Sequence, residues 1–318
     1  SMTCEPRSHV GERINQVEWL SQSSFEVGID PFGSPPNDWV SIVVDRLLER
    51  LPRCLDGDRN RAVLSLPLPW IHYQTAGPDE VERYQRQTHQ MFQESLFESD
   101  AHIVQWPILP DCPLSILAAT ASDAACRIAE AVTEVGYSVR GILPHGVAVL
   151  SASAALTSLK PRAALVLESS SALVAMSGDG YFGLTRALPG PSSPISPEPK
   201  LDEIEPWLET VAAEVQATAR FEQRLGQGSA ESDAAAPLLI CGRIANVQGV
   251  DQTLASLLIW PIATWRYVGR TRPDATDSAQ SKSKTPTDFE LRDAELAVPL
   301  SLAWCCVSDL DPSRGRSS

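Results

Sequence analysis

Residues 114–156 decide the fold class: Leu114-Ser-Ile-Leu-Ala-Ala-Thr120, Ser122-Asp-Ala-Ala-Cys-Arg-Ile-Ala-Glu-Ala-Val-Thr-Glu-Val135-Gly136, Tyr137-Ser-Val-Arg-Gly-Ile-Leu143, and the run from Pro144 to Leu156. The first piece, apolar and small, reads as a buried strand. Ser122 caps a helix whose Ala125, Ile128, Ala129, Val132 and Val135 recur on one face, and Gly136 ends it. A second strand follows at once, and Pro144 opens another helix through Val147, Leu150, Ala154 and Leu156. Strand and helix in this alternation predict an α/β protein.

Downstream, Ala163–Leu167, Ser171–Met176 and Tyr181–Ala187 are three further strand-like runs. The second and third are joined by Ser177-Gly-Asp-Gly180, a hairpin turn because both glycines tolerate positive φ. Five prolines between Pro189 and Pro199 exclude a helix or a central strand there. Asp202 or Glu203 then starts the longest helix, with Ile204, Trp207, Leu208, Val211, Val215, Ala219 and Leu225 at helical spacing. Leu238–Gly242 reads as a fully apolar strand running into a turn, Val250–Leu258 as a helix, Ala263–Val268 as a strand, 271–287 as a polar loop, and Ala294–Val307 as an apolar closing element. Upstream, Gln16–Leu20 looks strand-like, a helix capped by Asn37 or Asp38 runs to Pro52, Arg61–Pro67 and Trp70–Gln74 are strands, and Pro78-Asp-Glu80 opens a polar helix to about Phe97. Hairpins at the start of each half predict mixed sheets in two lobes, with residues 1–143 forming the first and 144–318 the second.

The chain has 318 residues, 43% of them hydrophobic, which is ample for a large core. Its 26 Lys and Arg against 40 Asp and Glu leave a net charge of −14, a balance that repels phosphate backbones and excludes nucleic acid as a partner. No stretch approaches the roughly 20 apolar residues that span a bilayer, and Ser1-Met-Thr-Cys-Glu5 does not read as a signal peptide. The seven cysteines lack CxxC spacing, which argues against zinc fingers and a disulfide framework and for a cytoplasmic setting. The Cys305-Cys306 pair sits among Leu302, Ala303 and Trp304 and reads as part of a buried element.

Several motifs imitate chemistry. Gly178-Asp-Gly-Tyr-Phe-Gly183 spells G-x-G-x-x-G, but a dinucleotide fingerprint opens a helix, and strand formers follow here. No P-loop, H-E-x-x-H or G-x-S-x-G occurs. The five histidines are scattered, and His145 between Pro144 and Gly146 reads as a capping or core-edge residue. No catalytic residue and no metal cluster stands out. Two segments remain: Leu165-Val-Leu-Glu168-Ser169-Ser170-Ser171, and Leu238-Leu-Ile-Cys241-Gly242-Arg243 leading to Gly249 and a helix. A small-residue turn between strands points backbone N–H groups at a phosphate, with an acid nearby to hold a metal or water. A glycine turn after a buried strand lets a base or ribose approach the backbone.

In this order around the long helix, the two segments resemble the second half of the actin-like ATPase superfamily of actin, Hsp70 and sugar kinases. More narrowly, the chain from about Trp39 is similar to the PilM-type assembly proteins of type IV pili and, more distantly, to the cytoplasmic domain of the type II secretion L protein. Val63-Leu-Ser-Leu-Pro67, Ser115–Ala155, the hairpin of Ala164–Leu188 and the turn of Leu238–Val250 carry the likeness. It implies a two-lobed actin-like, ribonuclease-H-like fold with mixed sheets. It further implies a nucleotide site at Glu168, Ser169, Ser170, Ser171, Gly242 and Arg243, with ATP and magnesium as the family's ligands.

The departures work against that ligand. The second phosphate loop of the family has D-[IL]-G, where this chain has Glu168-Ser169-Ser170. The adenosine turn has Gly-Gly, where Gly242 is followed by the bulky Arg243. Near the N-terminus only Val27-Gly-Ile-Asp30-Pro31-Phe-Gly33 stands for D-x-G, and a proline supplies no N–H. Each lost donor costs about 2.7–4 kcal/mol of transition-state stabilisation, so the expectation is that turnover is abolished.

The resemblance therefore implies a noncatalytic cytoplasmic scaffold of a pilus or secretion machine. Its partner would be a short peptide of a membrane-anchored assembly protein, basic to suit the acidic chain, with an assembly ATPase docked nearby. Two other readings stay open: an active ATPase or small-molecule kinase with Glu168 positioning a metal or water, and a plain α/β interaction module.

Overall fold

Ala163-Ala-Leu-Val-Leu167 and Leu238-Leu-Ile-Cys241 contain no charged side chain, and every residue in both is buried. Such runs belong to strands covered on both faces. They sit at the centre of the computed structural model, which describes residues 39–51, 61–94, 100–108, 112–178, 181–196, 198–225, 236–267 and 293–307. In chain order these form α1 (Trp39–Arg50), β1 (Arg61–Leu64), β2 (His72–Ala76), α2 (Val81–Glu94), β3 (Ala101–Pro107), β4 (Ser115–Ala121), α3 (Ser122–Glu134), β5 (Ser138–Ile142) and α4 (His145–Leu156). There follow β6 (Ala163–Leu167), β7 (Ala172–Gly178), β8 (Tyr181–Leu188), α5 (Leu201–Leu225), β9 (Leu238–Cys241), α6 (Val250–Leu257), β10 (Ile262–Thr264) and α7 (Ala297–Val307).

The largest sheet has the order β10-β9-β6-β7-β8. Its β6, β7 and β8 are antiparallel, while β9 and β10 run parallel to β6. Three antiparallel strands followed by two parallel ones, in this order, make a ribonuclease-H-like sheet. The two-residue period sorts its side chains cleanly. Ala163, Leu165, Leu167, Leu238 and Ile240 pack with Ile204, Leu208 and Val211 of α5. Ala164, Val166, Leu239 and Cys241 pack with Val149 and Ala152 of α4 and Ala297 and Leu300 of α7. A three-stranded antiparallel sheet, β2-β4-β3, and a parallel pair, β1-β5, precede it in sequence. Helix α7 packs along α4 and also touches β1.

Most expectations from the sequence hold. Gly178 pairs with Tyr181, so the G-x-G-x-x-G string lies on the β7–β8 hairpin. Cys305 and Cys306 are buried in α7. The helix from 201 to 225 is continuous despite Pro206 inside it. Four details differ. Ser122 is the first residue of α3 instead of its cap; Ala121 takes the N-cap position, with no side-chain capping bond. β3 has no counterpart in the sequence reading, and its burial does not alternate, since the neighbours Val104 and Gln105 are both exposed. β10 ends at Thr264 instead of Val268; Trp265 still donates its N–H to Ile240 O, but the pairing stops there. Trp70 closes a 3-10 turn, Leu68–Trp70, and the strand begins only at His72. The strand-like Gln16–Leu20, the Asn37/Asp38 cap, the Val27–Gly33 segment and the 271–287 loop lie outside the described residues. Among the described residues no helix is long and apolar enough to cross a membrane.

Candidate nucleotide-binding site

β6 and β9 are parallel neighbours, with Val166 opposite Cys241, so their C-terminal ends lie side by side. The topology therefore brings together the two segments that the sequence singled out. After β6, Glu168 donates its N–H to Ser171 O at 2.9 Å and closes a tight turn before β7. After β9, Gly242 takes φ +93°, the left-handed region. A Cβ there would stand 2.5 Å from Leu167 O and 3.0 Å from Glu168 Oε1, so only glycine lets the two turns meet. The Gly242 N–H donates to Ala294 O at 2.8 Å, which places the 293–296 turn over the same spot. On the other side Gly190 abuts Ser170, whose carbonyl oxygen a Cβ would overlap.

Glu168 is thus partly buried, with its carboxyl against the Gly242 turn. Burial raises its pKa to about 7, and the negative charge of Glu295 adds to the rise; the backbone N–H and the guanidinium of Arg243 act in the opposite direction. Its charge in turn adds to the burial that pushes the Cys241 thiol up. Ser169 and Ser170 are partly exposed, and the buried Ser171 Oγ has no hydrogen-bond partner among the described residues. Arg243 follows Gly242 as an exposed residue and leads into the 3-10 turn Ile244–Asn246. All six residues expected at the site therefore lie on two adjoining turns. Among the described residues no group of three or more His, Cys, Asp or Glu side chains could hold a metal ion.

His145 opens α4 with its Nδ1 buried and without a partner among the described residues, and burial lowers its pKa to about 4, so it is neutral at physiological pH. Sequence reasoning missed Gly190, Ala294 and Glu295. Ala294 and Glu295 carry no local signal beyond standing before an apolar helix.

Two of the cavities bordered by described residues lie elsewhere. One, about 240 Å³, is lined by Leu47, Leu64, Val132, Leu302 and Cys306 among others. The second, about 470 Å³, lies between β2, β8 and α5.

No family profile matches the sequence, and no curated protein does. Among solved structures the chain is similar to the PilM-PilN type IV pilus biogenesis complex, at 16% identity and TM-score 0.54, covering 91% of this chain and 90% of that one. It also overlaps a Bacteroides thetaiotaomicron protein with an actin-like ATPase fold and unknown function, at 9% identity and TM-score 0.40 over 77% and 81% of the two chains. The cytoplasmic domain of EpsL, an inner membrane component of the type II secretion system of Vibrio cholerae, overlaps at 12% identity and TM-score 0.35 over 69% and 79%. The first likeness, together with the sheet order, shows the actin-like fold; the other two are too loose to carry an argument.

Proposed function

We propose that this actin-like chain is a noncatalytic component of a type IV pilus or related secretion assembly, and that it docks a segment of a membrane-anchored partner. The observation that carries this reading is the near end-to-end likeness to a chain of the PilM-PilN complex. The closed turn supports the noncatalytic half. The amides of Glu168 and Gly242 are bonded to Ser171 O and Ala294 O, so neither is left for a phosphate or ribose. A carboxyl that takes up a proton near pH 7 is a poor magnesium ligand. The residues present do not fit magnesium-ATP, and Glu168, Ser169, Ser170, Ser171, Gly242 and Arg243 are what is left of a nucleotide site. The chain works in the cytoplasm as two lobes meeting near residue 143, is held at the inner membrane through its partner, and has an assembly ATPase as a second contact.

Calorimetry with magnesium-ATP tests the claim directly. No heat of binding at micromolar nucleotide and no phosphate release are expected; micromolar affinity with hydrolysis would sink it. The placement of Glu168 beside Gly242 keeps a second reading, an active ATPase, in view. Under that reading Glu168→Ala would abolish phosphate release by an otherwise active chain.

A further inference from the structure

Strand β3, Ala101-His-Ile-Val-Gln-Trp-Pro107, closes one side of the three-stranded sheet, with β4 as its only strand partner among the described residues. Just beyond its two ends, Ser122 donates its N–H to Asp100 O and Ile108 donates its N–H to Leu114 O. Hydrogen-bonded pairs alternate along an antiparallel ladder, so the even-numbered residues of β3 bond to β4 and the odd-numbered ones turn their N–H and C=O groups outward. At the ends of that outward row no donor is left: Ala101 gives its N–H to His89 Nδ1 at 3.3 Å, and Pro107 has none. Between them, the backbone N–H groups of Ile103 and Gln105 have no hydrogen-bond partner among the described residues. These two donors stand symmetrically about Val104, whose side chain is 44% exposed. Besides β4, the main neighbours of β3 are α2, which covers the Ile103 face with Phe92, and β8, which approaches at Trp106, whose Nε1 donates to Gly183 O at 3.3 Å.

Edge strands are normally blunted by a lysine, an inward-pointing charge or a proline within the strand. β3 has none of these, since no Asp, Glu, Lys or Arg occurs in it and its proline is its last residue. Helix α2 alongside balances Glu82 and Glu94 with Arg83 and Arg86, so the strand and its covering helix carry no net charge in a chain of −14. That contrast selects the occupant. Two copies of a strongly acidic chain repel each other over most of their surface and approach best where neither presents net charge. An antiparallel edge is also self-complementary about a two-fold axis, the symmetry of most soluble dimers.

We propose that two copies of this chain pair edge to edge through β3, antiparallel and about a two-fold axis at Val104, which doubles the three-stranded sheet. Ile103 of each copy exchanges N–H···O bonds with Gln105 of the other. The two Val104 side chains meet on the axis as a non-hydrogen-bonded pair, with Cα atoms about 4.5 Å apart. The pairing uses no residue of the nucleotide-type turns and is independent of the reading that the chain docks a partner's segment.

Sedimentation equilibrium of the full wild-type chain across the micromolar range, with amide hydrogen exchange at the two ends of that range, tests it. A monomer–dimer equilibrium is expected, with exchange at Ile103 and Gln105 slowed at least about tenfold in the dimer. Val104→Lys sets like charges opposite one another and should weaken the dimer at least about tenfold. Val104→Cys should form a disulfide between copies on air oxidation, well above the wild-type level set by cysteines such as the exposed Cys126. Gln105→Cys should not, because the pairing holds its two Cα atoms more than about 7 Å apart. Should Val104→Lys disturb the fold, wild-type exchange and the Val104→Cys crosslink carry the test. A chain that stays monomeric throughout overturns the proposal. So does a dimer that Val104→Lys leaves intact, one whose protection lies outside β3, or one that crosslinks through Gln105→Cys in preference to Val104→Cys.

Discussion

Glu168 shows how much one side chain can report. Its carboxyl ionises at about 7 in the fold against an ordinary 4.5, chiefly through burial and then through Glu295. A raised acid pKa means that the folded state holds its proton more tightly than the unfolded chain does. The stabilisation is therefore complete below about pH 4.5 and is lost as pH rises through 7. Relative to Glu168→Gln, the wild type should lose stability on the order of 3 kcal/mol across that window. Urea melts of both proteins at about pH 5 and about pH 8 would read this out; curves that stay parallel at both pH values would contradict the desolvated carboxyl. Glu168 and Gly242 were legible as candidates because an acid after an apolar strand and a glycine after another are local patterns. Ala294, which takes the Gly242 N–H, and Glu295, whose charge acts on Glu168, were not, since their proximity arises only when the chain returns from a remote segment.

At the scale of elements, α5 was the easiest to read, its apolar stripe holding period over 25 residues. What ties it to the sheet is less visible. Arg162, just before β6, reaches Glu222 near the end of α5 at 2.9 Å, with side chains 25% and 8% exposed, and its guanidinium lies 5.6 Å from the Trp260 ring centroid. Burial pushes the Glu222 pKa up, and Arg162 pulls it back. Arg162→Leu would strand a buried carboxylate, at a cost of about 3–5 kcal/mol near neutral pH. The loss should shrink in acid as Glu222 takes up a proton, and the double change with Glu222→Leu should recover most of it. Thermal melts at two pH values would check both statements; an equal loss at each would rule out the buried-charge account. β3 escaped the sequence reading for a different reason. Apolar Val104 is exposed beside exposed Gln105, so the two-residue period is blurred.

Over the whole molecule, α4 and α7 pack against each other behind the five-stranded sheet, and α7 extends to β1. The interface is not fully optimised. Ser301 in α7 is completely buried, and its hydroxyl has no hydrogen-bond partner among the described residues. Ser301→Ala removes a desolvated group without leaving a cavity of consequence, so it should raise stability by about 1 kcal/mol. Chemical denaturation would show this as a higher midpoint with an unchanged slope, and a lower midpoint would reveal a partner for the hydroxyl.

By itself the sequence determined the strands of the central sheet, the long helix, the hairpin that mimics a dinucleotide motif, and the two turns that end β6 and β9. These follow from apolar runs, helical spacing and turn residues, all of which act over a few neighbours. Only the tertiary structure decided that the Gly242 N–H is taken by Ala294 O, that Glu168 lies against the Gly242 turn, and that β2 and β8 pack together around one cavity. Those contacts join segments far apart in the chain, and no local pattern encodes them; they arise from the parallel alignment of β6 with β9 and from the return of α7 across α4.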